Sequence, residues 1–314
     1  MIGLLSYLVF FMSVALILAV VVLGLNLQWG ATGLFNAGIV GFYAIGAYAF
    51  AILTAPPRPE LIGNFGLPWL AGLAGAMVAS AFAALIIGLA TLKLRDDYLA
   101  IATFGIASTI QLLALNADPL TGGAMGIASI PNPARGLTGS PIINNLFYLG
   151  LVLAIVALVY GGLQRLVESP WGRVLKAIRE DEIAAQTLGK NVSLFRLQAF
   201  VLGSMLMGLG GALYVGFVGF ISPSDFMPIL TFQIWTMLII GGSGNNKGAI
   251  MGAIMVWALW TLIGAATSLL VPAQYQAYGG ALQSLVIGLI LVLTLLLRPR
   301  GLIGERSTAS RHAV

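Results

Sequence analysis

Apolar runs of membrane-crossing length recur along this chain, separated by short polar stretches. Residues 3–24 form the first, and 37–53, 70–92, 98–115, 146–163, 197–220, 229–240, 249–269 and 281–297 follow. A bilayer core takes about 20 apolar residues per helix, so the pattern predicts a polytopic bundle of about nine transmembrane helices within one domain, residues 1–314. Strands of alternating polarity, the signature of a membrane barrel, are not found. The fold class expected is an all-α integral membrane protein.

Two spans carry small residues at strict four-residue spacing, Gly72, Ala76, Ser80, Ala84 and Gly88 in one and Ser204, Gly208, Ala212 and Gly216 in the other. Such a stripe lets helix backbones approach closely and leaves no room for a larger side chain. The segment 116–145 is dense in Gly, Pro and Asn, which predicts an ordered irregular loop. Gly24–Gly38 interrupts the apolar pattern with Asn26, Gln28, Thr32 and Asn36. Non-helical backbone at membrane depth survives only where protein or a water-filled cavity satisfies it, so the segment is either a break lining a path or a turn at the membrane surface.

The longest hydrophilic stretch is 165–196. Ser169 can cap a helix that Pro170 begins, and Gly189 followed by Asn191 is a matching stop, which predicts one helix over 169–188. Trp171, Val174, Leu175 and Ile178 fall at i, i+3, i+4 and i+7, giving one apolar face. A capped amphipathic helix carried on two spans is either a part to be gripped by a partner or an ordinary solvated loop. If gripped, its face with Trp171, Val174 and Ile178 is expected in the partner's groove.

Composition agrees with a membrane protein: 59% of the 314 residues are hydrophobic and 8% charged, and the mean hydropathy is +1.00. With no cysteine, disulfides and thiolate metal sites are excluded. The single histidine, His312, lies in the polar tail and makes no metal site. The excess of 15 Lys and Arg over 10 Asp and Glu invites a nucleic-acid reading until the bases are located. Lys93, Arg95, the six of 165–196, Lys247 and the tail's Arg298, Arg300, Arg306 and Arg311 make 13, leaving Arg58 and Arg135 for loops on the other side. By the positive-inside rule the 165–196 segment and the tail, 298–314, are cytoplasmic, and 116–145 faces outside. The charge reports topology, not a nucleic-acid partner.

No span interior holds an unambiguous acid or base of the kind that ion-coupled transporters keep there. The glycine-rich 241–248 lacks the Gly-Lys-Ser/Thr ending of a phosphate loop and follows a membrane helix instead of a strand. No set of side chains supports catalysis. Catalytic, cofactor-binding and metal sites are therefore all expected to be absent, and the chain reads as a pore former that borrows its energy. The uncharged polar side chains of Asn36, Tyr43, Thr103 and Gln111 are the candidates for lining the path, since facing lipid would leave their hydrogen-bonding groups unsatisfied.

Gly172-Arg173-x-x-Lys176-Ala177-Ile178-Arg179-Glu180-Asp181-Glu182-Ile183-Ala184-Ala185-x-x-x-Gly189, with Gly208-x-Gly210-Gly211-Ala212-Leu213-Tyr214, Ile221-Ser222-Pro223, Gly241-Gly242-x-Gly244 and Arg298-Pro299-Arg300-Gly301-Leu302, resembles the permeases of ABC importers for branched-chain amino acids over nearly the whole chain. The similarity is greatest to the LivM type, whose partner is the LivH type. It implies a bacterial inner-membrane subunit that pairs with a second permease, two cytoplasmic ATPase subunits that use the ATP, and a soluble substrate-binding protein outside. It also implies a coupling role for Trp171, Gly172, Arg173, Ile178, Glu182, Ala184, Ala185 and Gly189. The wider importer motif, Glu-Ala-Ala then three residues and Gly, is met in part: Ile183 takes the acidic place and Glu182 lies one residue earlier. A permease for urea or short amides in the same family, a stand-alone channel and a membrane scaffold are the competing readings.

Overall fold

The computed structural model describes residues 2–59, 61–136, 139–270, 272, 278–298 and 301–304. Glu60, Pro299, Arg300, Arg306, Arg311 and His312 lie outside the described residues. The chain is helical almost throughout. Helix α1 (Ile2–Leu25) runs on through a five-residue π-helix (Asn26–Gly30). Then come α2 (Ile39–Thr54), α3 (Trp69–Thr91), α4 (Asp96–Asn116) and the one-turn α5 (Asp118–Thr121). The long α6 (Pro141–Glu168) leads to two short helices, α7 (Pro170–Glu180) and α8 (Glu182–Thr187). Four helices complete the bundle: α9 (Val192–Val218), α10 (Pro228–Gly241), α11 (Asn246–Leu270) and α12 (Gly279–Leu297). Strands β1 (Ile127–Ala128) and β2 (Phe220–Ile221) pair antiparallel and staple two loops together.

Seven helices are long and apolar enough to cross a membrane: α1 with its π extension, α3, α4, α6, α9, α11 and α12. Two shorter apolar helices, α2 with 16 residues and α10 with 14, bring the apolar helices among the described residues to nine. At 1.5 Å per residue these two span about 24 and 21 Å, short of a hydrocarbon core of about 30 Å. Irregular backbone precedes each of them, at 33–38 and around 222–227.

Helices α1 and α9 form the centre. In their most apolar windows 78% and 72% of residues are buried, against 6% in α12, which lies at the periphery. Every member of both small-residue stripes is buried. The reason is close backbone approach: a Cβ placed on Gly46 of α2 would overlap the backbone of Gly208 in α9. At such a contact there is no volume for a methyl group, and dispersion between backbones replaces side-chain interdigitation.

The loops sort to two ends. At one, Arg58 donates to the Ala128 carbonyl at 3.2 Å and Ile62 N–H to Pro119 O at 2.6 Å. At the other, Leu302 N–H donates to Ile240 O at 2.9 Å and Asn245 Nδ2 to Gly304 O at 3.3 Å, beside α7. The first span reaches further than the sequence pattern suggests. Asn26 and Gln28 sit inside the helical segment and are buried, because their amides find partners on other helices, as described next.

Candidate functional site

The segment 165–196 folds as two helices where the pattern predicts one. Ser169 caps α7, its Oγ accepting weakly from Gly172 N–H at 3.5 Å, with Pro170 at the first helical position. Asp181 then leaves helical geometry, at φ −154° and ψ 104°, and its Oδ1 accepts from Ala184 N–H at 2.9 Å. An Asp that can cap the following turn competes with the helix that would otherwise continue through it, so the break falls there. Gly189 adopts φ +75°, and Lys190 N–H returns to the Ala185 carbonyl at 3.2 Å, as in a left-handed helix stop. Asn191 caps α9 by accepting from Leu194 N–H at 3.1 Å.

The apolar face of α7 is turned into this chain's own body. Leu175 and Gly172 are buried against the bundle, and Ile178 packs with Ala185, Val192, Val174 and Phe195. Trp171 is half-buried and donates from Nε1 to Gln198 Oε1 at 2.7 Å. Glu182 pairs with Arg196 at 2.9 Å. Of the three side chains expected to fill a partner's groove, Trp171 and Val174 are half-buried and Ile178 is buried on the chain's own bundle, so much of that face is covered from within the chain. Outward instead face Arg173, Ala184 and Gly189, with Ile183 and Leu188, 74% and 78% exposed. Sequence reasoning noted Ile183 only as the residue in the motif's acidic place and passed over Leu188.

Beneath α7 lies the end of the first span. Arg179 Nη1 donates to the Gly30 carbonyl at the last residue of the π-helix, and its aliphatic stem lies over Gly33. Asn26 Nδ2 donates to Asn246 Oδ1 at 2.9 Å, while its Oδ1 accepts from Gly244 N–H at 2.8 Å. Gln28 Nε2 donates to Phe200 O at 2.8 Å and Ser204 Oγ at 3.1 Å, and its Oε1 accepts from Asn36 Nδ2 at 2.8 Å. The segment 26–36 thereby joins α7, α9 and the start of α11. A cavity of about 640 Å³ opens here, lined among others by Trp29, Phe35, Asp97, Arg179 and Ser243. Trp29, Phe35 and Trp235 pack edge-on or tilted beside it, with ring centroids 4.7 to 5.4 Å apart. Trp235 Nε1 donates to Asn36 O at 3.1 Å.

The four candidate path residues divide. Asn36 is fully buried, and its Oδ1 accepts from Gly38 N–H at 2.7 Å. Thr103 is also buried; its Oγ1 donates to Leu99 O at 2.8 Å and accepts from Ala37 N–H at 3.0 Å. Tyr43 packs against the rings of Tyr214 and Phe226. Asn36 and Thr103 hold the broken segment in place, Tyr43 lies in an aromatic cluster, and none of the three lines the 640 Å³ cavity. Gln111 borders a 10 Å³ pocket shared with Ser108, Phe104 and Thr231, and donates to Pro223 O at 3.2 Å. Among the described residues no group of three His, Cys, Asp or Glu side chains could hold a metal ion.

A bundle of apolar helices with a broken first span, a cavity at the break and an amphipathic element strapped across that end is the architecture of a multispan permease. A family model described as branched-chain amino acid transport system / permease component matches residues 7–295, and the chain belongs to that family. It is 31% identical over 312 residues to the high-affinity branched-chain amino acid transport system permease protein LivM of Escherichia coli strain K12, covering 93% of this chain and 68% of that one. The probable LivM of Methanocaldococcus jannaschii is 26% identical, over 91% and 90% of the two chains. The LivH permease of Escherichia coli strain K12 is 25% identical, over 91% of each.

Proposed function

We propose that this chain is the LivM-type permease subunit of an ATP-driven importer of branched-chain or related hydrophobic amino acids. It forms the translocation path with a LivH-type permease, takes substrate from a soluble binding protein outside, and is driven by two cytoplasmic ATPase subunits. The similarity to both LivM and LivH permeases supports the pairing and the substrate class.

The observation that carries the coupling role is the α7–α8 element. One face is anchored on its own bundle, Ile183, Ala184 and Leu188 face away from it, and Arg179 reaches from it to the end of the first span. An ATPase gripping the outer face would therefore move the floor of the 640 Å³ cavity. The Trp29, Phe35 and Trp235 cluster is then the barrier between this inner space and the small pocket at Gln111. The orientation follows from charge. Among the described residues Lys93, Arg95, Arg165, Arg173, Lys176, Arg179, Lys190, Arg196, Lys247 and Arg298 belong to the α7 end and Arg58 and Arg135 to the other; by the positive-inside rule this supports a cytoplasmic α7 and C-terminal tail in a bacterial inner membrane. Topology reporters at Lys176 and Arg135 that fall on one side of the membrane would overturn that orientation.

The test of coupling is retention of the ATPase subunits by tagged permease. Ile183→Asp and Leu188→Asp, which place charge on the outer face without touching the buried one, are expected to abolish retention while pairing with the second permease persists. Retention at the wild-type level in both variants would remove α8 as the docking element and favour a stand-alone channel.

A further inference from the structure

A second cavity, of about 550 Å³, lies at the same end of the bundle, between α7, the last turns of α6 and the start of α11. Its lining is unlike that of the first. Arg173 and Lys176 of α7 and Lys247 of α11 bring three cations, and Tyr160, Gln164 and Glu168 of α6 supply polar groups. Among the described lining residues Glu168 is the one carboxylate, and it accepts from the Gln164 amide. The Asn246 amide bridges α11 to α6 by donating to Gln164 Oε1 at 3.2 Å. The cavity thus has net positive charge and sits where two apolar helices leave the membrane.

The surface leading away from it is apolar and exposed. On α11, Met251 and Met255 follow Lys247 at four and eight residues, on the same face. On α6, Leu153 and Ala157 precede Tyr160 and Gln164 on one stripe. A basic cavity at the membrane surface whose walls continue into apolar side chains matches one chemistry, a phosphodiester monoanion carrying acyl chains.

We propose that this cavity binds the headgroup of an anionic phospholipid, with its chains running along α6 and α11. A zwitterionic headgroup carries its own ammonium, which the excess of cations repels. A free phosphate would satisfy the cations and leave the apolar walls unused. Because Arg173 and Lys176 belong to α7, a bound headgroup ties the coupling element to α6 and α11. The lipid would hold α7 beside Arg179's contact with Gly30, since Lys176 and Arg179 are three residues apart on the helix.

The purified full chain is titrated with phosphatidylglycerol, phosphatidylcholine or inorganic phosphate and examined by native mass spectrometry. Phosphatidylglycerol is expected to bind in preference to phosphatidylcholine, and inorganic phosphate to displace it poorly. Lys247→Gln and Arg173→Gln are each expected to weaken phosphatidylglycerol about fivefold, from about 1 kcal/mol per surface cation, and the pair about 25-fold if their effects add. Lys247→Arg should bind as the wild type does, which separates loss of charge from loss of fold. Equal binding of the two lipids overturns the proposal. So does efficient displacement by phosphate, which would make this a free-anion pocket, or unchanged affinity in the double variant. Phosphatidylglycerol binding that disappears when the ATPase subunits join would overturn it too, by giving the cations to an acidic protein surface.

Discussion

Arg179→Met isolates the link between the coupling element and the transport path. The substitution keeps an unbranched apolar stem over Gly33 and removes the guanidinium that donates to the Gly30 carbonyl. A hydrogen bond from a charged donor contributes about 1.5 to 3 kcal/mol. Taking about 2 kcal/mol, the preference for the docked arrangement of α7 on the π-helix falls by about 30-fold. The buried core beneath α7, with Leu175, Ile178 and Ala185, is untouched, so the helix itself should persist. The complex with its ATPase subunits is reconstituted in liposomes, and substrate import and ATP hydrolysis are measured together. Hydrolysis should continue while import per ATP drops by an order of magnitude. Because the chain has no native cysteine, Ser243→Cys on the cavity wall provides a second readout. Its reaction with a water-soluble thiol reagent should change with ATP in the parent and stay constant with Arg179→Met. Wild-type import per ATP together with an ATP-dependent labelling change in the variant would refute a transmitting role for Arg179.

Three further outcomes follow from particular contacts. Ala76→Leu and Ala212→Leu put three extra carbons where both side chains are fully buried, at a cost of about 1 to 3 kcal/mol; detergent-solubilised variants should lose monodispersity, whereas Leu89→Ala at an exposed position of α3 should not. Gly189→Val forces a β-branched residue to φ +75° with open space around it, so about 1 to 2 kcal/mol of pure backbone strain should speed proteolysis at the α8–α9 junction, and equal cleavage rates would contradict that. Cysteine at Gln111 should react with small thiol reagents and cysteine at Asn36 or Thr103 should not; reactivity at all four of Asn36, Tyr43, Thr103 and Gln111 would return them to the path.

The parts legible in the sequence are those set by one residue's chemistry or by one helix's period. Apolar runs marked the helices, the four-residue spacing marked both buried stripes, and Gly189 marked a left-handed stop. What escaped depends on partners far along the chain. Asn26 and Gln28 look like helix breakers at a membrane surface, yet they are buried and helical because Asn246, Phe200 and Ser204 receive them. Asn36 and Thr103 are polar for a related reason: they hold irregular backbone together, and a polar side chain inside a membrane protein serves packing as readily as passage. The amphipathic period of α7 correctly gave an apolar face, but periodicity does not say whether the same chain or another one covers it. Trp235 carried no signal, since an aromatic in an apolar run is equally at home in lipid, and in 24–38 the polar side chains drew attention away from Trp29 and Phe35.

Helix α1 is the most apolar span, with a mean hydropathy of 3.0 in its best window, yet it is walled in by α6, α9, α10 and α11. All of these are synthesised later. During translation α1 must therefore wait in lipid, where its uniformly apolar surface is comfortable on every side, while Asn26 and Gln28 stay hydrated at its end. Their partners on other helices are 172 to 220 residues away, so the first helix can be enclosed only once the later ones are made. Lipid tails are as apolar as leucine, so the hydrophobic effect does not drive that step. Tight packing and the late capture of two amides do, and truncation before α11 should leave α1 inserted with Gln28 held by α9 but Asn26 without its Asn246 partner.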